Sequence, residues 1–441
     1  MIKECAEVFK SLLVKQGEDF FLDGYIFDPG LYLLVDGDGK VIYKKEIAKG
    51  EEATLEFTEL FKEIDYLSGV ISTNKALDTK RQIQSNNYLS FWVKKANVLP
   101  DKKGAYKLTQ KIIDDYYKVL ADPVNKYPDE IKPIYDEVEK NIGKADIEVL
   151  RKNRDWIIEN IFTLIEDPKD NAGFIKVFFT AEIEKYRDES KRYYAPNVFN
   201  YPKMVTELEG GPVGVSGYIM NLNAKKPYLQ NHTRKSTVPA FVDTEEAFLY
   251  AQFFRFLDIQ AKNKRYNIYI SFNDGVFALP DDQAPEGYFS GYYLRISREM
   301  SGLKIVYSDR MTGYNPRIDP PIEIKEMVPI SSDNKEEIIR TITTINELKL
   351  YMNKRFYGGT MLPYLFTDPN DMKVTDTVLK NEVITARASF INGFIMGDLR
   401  SYWNCLKNQG LKLIKNDISY GRDFYAAVKF DIFYSLQEYF E

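Results

Sequence analysis

The sequence is poor in the residues that build disulfide frameworks, metal centres and nucleophilic catalytic sets. Among 441 residues there are two cysteines, Cys5 and Cys405, and one histidine, His232. Two isolated cysteines with no Cys-x-x-Cys pair exclude a disulfide framework and a cysteine-rich zinc site, and they fit a reducing compartment. A single histidine excludes multi-histidine metal sites, so a Ser-His-Asp or Cys-His arrangement would have to use His232. That residue stands beside Arg234 and Lys235, where neighbouring cations weaken a base; contact with a phosphate, or the role of a satisfied loop histidine, suits it better. No run approaches the roughly 20 apolar residues of a membrane span, and the opening MIKECAEVFKSLLVKQGEDFF lacks the apolar stretch of a signal peptide. A cytoplasmic location without membrane association is the expectation.

Phosphate-binding and metal chemistry find little support. No GxxxxGK[ST] loop occurs, and GDGK at 37–40 belongs to a hairpin turn rather than a strand-to-helix cradle. Asp36, Asp38, Asp281 and Asp282 are the candidates for a carboxylate-held metal, but Asp-Gly-Asp-Gly is turn chemistry and Asp281-Asp282 follows a proline in a loop. A carboxylate-dependent metal nuclease or other hydrolase is therefore a secondary reading. The main expectation is a chain that is not an enzyme and uses no cofactor.

What is present is apolar, aromatic and patchily basic. Hydrophobic residues make up 44% and charged residues 28%, a balance that folds. The length exceeds what one hydrophobic core usually serves, so several domains are expected. The formal net charge is −5, which excludes an overall positive coat and confines any nucleic-acid contact to local patches.

The patterning predicts an α+β chain: a mixed N-terminal and central portion with short sheets, a charged helical insertion and a helical C-terminal domain. Residues 1–121 read as an N-terminal α+β domain, 122–200 as the insertion, 201–330 as a loop-rich α+β central domain and 331–441 as the helical domain. GLYLLVDGDGKVIYKKEI reads as a hairpin, residues 54–70 and 105–121 as helices, and TEEAFLYAQFFRFLDIQAKNK as a helix capped by Thr244. YNIYISF, YYLRISR and LKIVYS read as strands, and helices are expected near 335–353, 373–397, 399–409 and 421–439.

Two segments combine cations, amides and aromatic rings. The first runs from Asn74 to Lys95 and contains Lys75, Lys80, Arg81, Asn86, Asn87, Lys94 and Lys95 with Tyr88, Phe91 and Trp92. Cations attract phosphate, amides bond base edges or sugars, and rings stack. An alternative stays open here: the aromatics are strand core and the lysines are solvated. The second runs from Asn221 to Thr237 and contains Lys225, Lys226, Tyr228, Gln230, Asn231, His232, Arg234 and Lys235, with no acid before Asp243. It is a compact basic patch in an acidic chain; the alternative of a merely solvated loop stays open, because most surface charge runs have no partner.

NKALDTKRQIQSNNYLSFWVKK, NAKKPYLQNHTRKSTVPAF with the helix after it, and KRYNIYISF resemble, in this order, the large subunit of the type I-B CRISPR surveillance complex, Cascade. The resemblance spans roughly positions 20–275 and thins toward the C-terminus. It implies a non-catalytic subunit near the handle of a guide RNA (crRNA), reading a short protospacer-adjacent motif on double-stranded target DNA. It also implies help in opening the duplex, docking of a helicase-nuclease, and handle-binding, backbone and small subunits as partners. A different ribonucleoprotein scaffold is the remaining alternative. The sequence departs from longer family members in having no cysteine zinc element. Such members also continue into a region resembling the small subunit, whereas this sequence ends at Glu441; a separate small subunit, one translated from within a longer gene, or a shortened chain accounts for that.

Overall fold

Asp-Gly-Asp-Gly makes the turn its composition demands. In the computed structural model, β1 (Gly30–Val35) and β2 (Val41–Ile47) pair antiparallel, and the Asp36 carboxylate accepts from the amides of Asp38 and Lys40, each at 2.9 Å. The structure describes residues 1–441 except 18, 166, 168, 200, 219–239, 273–274, 300–301 and 327–337, and omits the side chains of Phe21 and Ile338. The chain forms two compact units, Leu13–Asn263 and Met1–Leu12 with Lys264–Glu441. The class is α+β.

In the first unit the hairpin joins β3 (Ser90–Lys94) and β4 (Phe174–Phe179) in one sheet of order β2-β1-β4-β3. β1 and β4 run parallel at its centre, and both read as near-continuous apolar runs because both faces are covered. β1 and β4 meet so closely that a Cβ at Gly30 would lie 2.2 Å from the Phe174 carbonyl oxygen. The stretch 122–200 is mostly helical, as Lys132–Ile142, Ile147–Asn160 and Ile183–Tyr194. It also supplies β4, a central strand that charge-dominated reading of the segment passed over.

A smaller sheet of β5 (Thr206–Leu208), β6 (Gly211–Gly214) and β7 (Val242–Asp243) leads into the helix Thr244–Lys262. The cap of that helix is Asp243, whose carboxylate accepts from the Glu246 amide at 2.7 Å, rather than the expected Thr244. An ionised cap at the positive helix end is the stronger acceptor.

The second unit begins with β8 (Asn267–Ser271) and β9 (Val276–Leu279), followed by the long hairpin β10 (Phe289–Glu299) and β11 (Gly302–Tyr314), in the antiparallel order β11-β10-β8-β9. A two-stranded sheet of β12 (Arg317–Glu326) and β13 (Ile338–Thr344) follows. β13 replaces the first part of the helix expected near 335–353: IIRTITT is a β-branched run that suits a pleated sheet. The helix starts at Ile345 behind a capping box of Thr344 and Glu347. Thr377–Phe390, Leu399–Ser419 and Asp423–Phe440 complete the helical end. Their core gathers Met352, Phe356, Phe390, Tyr402, Leu406 and Ile432.

Candidate nucleic-acid interface

The first candidate segment divides into a buried half and an exposed half. Asn86 and Asn87 are 1% and 0% exposed. The Asn86 amide nitrogen donates to the carbonyls of Leu67 and Gly69, both at 2.9 Å, and its oxygen accepts from the Asn87 amide at 2.7 Å. The Asn87 oxygen accepts from the Leu89 backbone amide at 2.9 Å and the Ser90 hydroxyl at 3.1 Å. Their polar atoms are thus spent inside the fold, tying the end of the helix Leu55–Ser68 to the start of β3. Neither has a face left for a base.

Lys95 is likewise buried, its ammonium within 2.8 Å of Glu46 and 2.7 Å of Asp170. Lys75 is half-buried and donates to the Phe199 carbonyl at 3.2 Å; burial lowers its pKa. Trp92 lies beneath Lys176, whose ammonium sits 3.8 Å from the ring centroid and 2.8 Å from the fully buried Asp65 carboxylate. For these residues, the core reading of the segment prevails.

Lys80, Arg81 and Lys94 are exposed. Asp78 accepts from the amides of Gln82 and Ile83 at 2.8 and 3.1 Å, forming the turn that presents Lys80 and Arg81. Arg81 takes a left-handed backbone with φ 57 and donates to the Asn74 side chain at 2.8 Å. The antiparallel bridge between Ile83 and Val93 sets Lys94 opposite Gln82, so the three exposed cations share one neighbourhood.

Lys225, Lys226, Asn231, His232, Arg234 and Lys235 lie outside the described residues. The described chain on either side is fixed: β6 precedes that segment, β7 follows it, and the two are paired through Val213 with Asp243 and Gly214 with Val242.

The structure adds a feature the sequence reading missed. Three helices, Leu55–Ser68, Ile183–Tyr194 and Thr244–Lys262, wall a cavity of about 170 Å³ whose lining includes Tyr66, Lys191, Tyr194, Tyr218, Phe248 and Arg255. Tyr194 and Phe248 stand with centroids 6.0 Å apart, and the Tyr194 hydroxyl donates to the Gly69 carbonyl at 3.3 Å. The Arg255 guanidinium lies 5.3 Å from the Tyr66 ring centroid and donates to the Tyr66 carbonyl at 3.5 Å. Arg187, at the rim, pairs with Glu63 and with Glu184. These residues are scattered over nearly two hundred positions, so no local motif announces them. The nearest signal was the aromatic run of the helix Thr244–Lys262.

Among the described residues no group of three or more His, Cys, Asp or Glu side chains could hold a metal ion. Asp36 is committed to its turn. Asp281 pairs with Arg295 and accepts from Asn267 at 3.1 Å; burial alone would raise its pKa, but the guanidinium and amide outweigh that and hold it low. Among the described residues no helix is long and apolar enough to cross a membrane. Compared with protein-family models, curated proteins and solved structures, the chain has no match.

Proposed function

We propose that the chain is the non-catalytic large subunit of a crRNA-guided DNA surveillance complex of the type I-B Cascade kind, working in the cytoplasm in antiviral defence. The observation that carries this reading is the SNNYLSF block followed by the basic KKPYLQNHTRKS block in a chain with a single histidine. The buried Asn86-Asn87 network gives a physical reason for such a block to mark a family: it joins a helix to a sheet strand and tolerates little change.

On this reading the division of labour follows from burial. Asn86, Asn87, Lys75 and Lys95 build the scaffold, while Lys80, Arg81 and Lys94 meet phosphate. Lys225, Lys226, Asn231, His232, Arg234 and Lys235 engage guide RNA or the target duplex. Few such contacts suffice, because base pairing to the guide supplies most of the sequence specificity. Handle-binding, backbone and small subunits and a recruited helicase-nuclease are the protein partners.

Charge removal in the reconstituted complex tests this. Lys225→Ala with Lys226→Ala, or Arg234→Ala with Lys235→Ala, is expected to weaken guide or target engagement while leaving thermal unfolding unchanged. Target binding that stays the same for both pairs would sink the assignment.

A further inference from the structure

The cavity between the three helices couples aromatic walls to two cations, Arg255 and Lys191, that make no ion pair among the described residues. Arg255 has no carboxylate within ion-pair distance among the described residues, and its bonding is confined to the Tyr66 ring and carbonyl. Lys191 is exposed and makes no ion pair among the described residues. The remaining cation, Arg187, is held by Glu63 and Glu184. At about 170 Å³ the space is well below the roughly 300–1,000 Å³ of pockets for drug-sized ligands. It suits a single flat ring system carrying one anionic group.

We propose that this cavity seats one unstacked nucleotide of a single strand, with its base against Tyr194, Tyr218 and Phe248 and its phosphate at Arg255 and Lys191. Rings at this tilt offer a face and an edge to an inserted base, and stacking tolerates any base because every base has a π-face. Gln252, also in the lining, adds an amide on the same helix wall. The inference deepens the proposed function by naming a ligand class and a location, and it rests on that reading for the source of the strand.

The test is binding of the full chain to labelled hexanucleotides by fluorescence anisotropy. The probes are (dT)6, (rU)6 and an abasic deoxyribose hexamer of equal charge. The base-bearing strand is expected to bind about 10-fold or more tightly than the abasic one, and the tighter of (dT)6 and (rU)6 identifies DNA or RNA as the source. Ala251→Leu fills the cavity without changing charge and should abolish that gap, as should Phe248→Ala. Lys191→Ala should weaken base-bearing and abasic strands alike. Equal binding of base-bearing and abasic strands by the unaltered chain, which needs no variant to fold, overturns the proposal. So does an undiminished gap in both Ala251→Leu and Phe248→Ala. Should the reconstituted complex fail to bind target while the gap persists, the assignment of the whole chain falls and the cavity stands; the opposite pair of results removes the cavity alone.

Discussion

Asn86 satisfies two backbone carbonyls from its single amide group while its oxygen orients Asn87. Asn86→Ala removes the side-chain donor of the Leu67 carbonyl and leaves the Gly69 carbonyl with only the Tyr194 hydroxyl, at a cost of about 2–4 kcal/mol. Chemical denaturation is expected to show that loss. Strand binding by the fraction that remains folded should match the unaltered chain. A second residue-scale prediction concerns Lys349, which is 5% exposed and donates to the Gln283 carbonyl at 3.0 Å. Burial lowers its pKa to about 8, against the opposing pull of Asp281 and Asp282. Below pH 8 folded and unfolded chains both hold the proton and the full burial penalty applies. Between about 8 and 10.4 only the unfolded chain holds it, so this group's contribution to stability rises with pH. The advantage of Lys349→Met over the native chain should therefore shrink by up to about 3 kcal/mol between pH 7 and pH 10. A difference that does not vary with pH contradicts the assignment. What the sequence could show of these residues was their type: nothing local distinguishes an asparagine that reads a base from one that caps a buried strand, because the partners of Asn86 lie 17 and 19 positions away.

Elements with strong local signals were legible, and those decided by distant partners were not. The hairpin of β1 and β2, the helices Leu55–Ser68 and Gln110–Ala121, and β8 follow from turn chemistry and periodicity. β4 was hidden because FIKVFF sits among charged helices and its strand character depends on β1 and β3 on either side. Its Lys176 points a charge into the core, where Asp65 receives it. Lys176→Met would strand that carboxylate and cost about 3–5 kcal/mol, measurable as a lower denaturation midpoint; Asp65→Asn with Lys176→Met should recover part of it. In the helical end of the chain, Leu399–Ser419 and Asp423–Phe440 approach closely at Gly410, where a Cβ would lie 2.6 Å from the Phe433 ring. Gly410→Ala is expected to destabilise by about 1–3 kcal/mol despite its better helix propensity. A stabilised Gly410→Ala protein would show that the two helices yield.

For the whole molecule, the net charge of −5 means that nucleic-acid affinity cannot come from its overall field. On the proposed function it comes from patches, and the exposed trio Lys80, Arg81 and Lys94 is a candidate for one. Alanine at all three should reduce the slope of log affinity against log salt by about 2–3 if each neutralises a phosphate. An unchanged slope would restrict the interface to other residues. The α+β class could be read from the sequence, but the three-helix cavity required the fold to assemble it. The measurement that bears most directly on the central claim is guide-dependent binding of double-stranded target by the reconstituted complex with and without this chain. The account predicts that the chain co-elutes with the guide RNA, and that leaving it out lowers affinity at least about 10-fold and removes dependence on the protospacer-adjacent motif. Equal binding and equal motif dependence in its absence would contradict it.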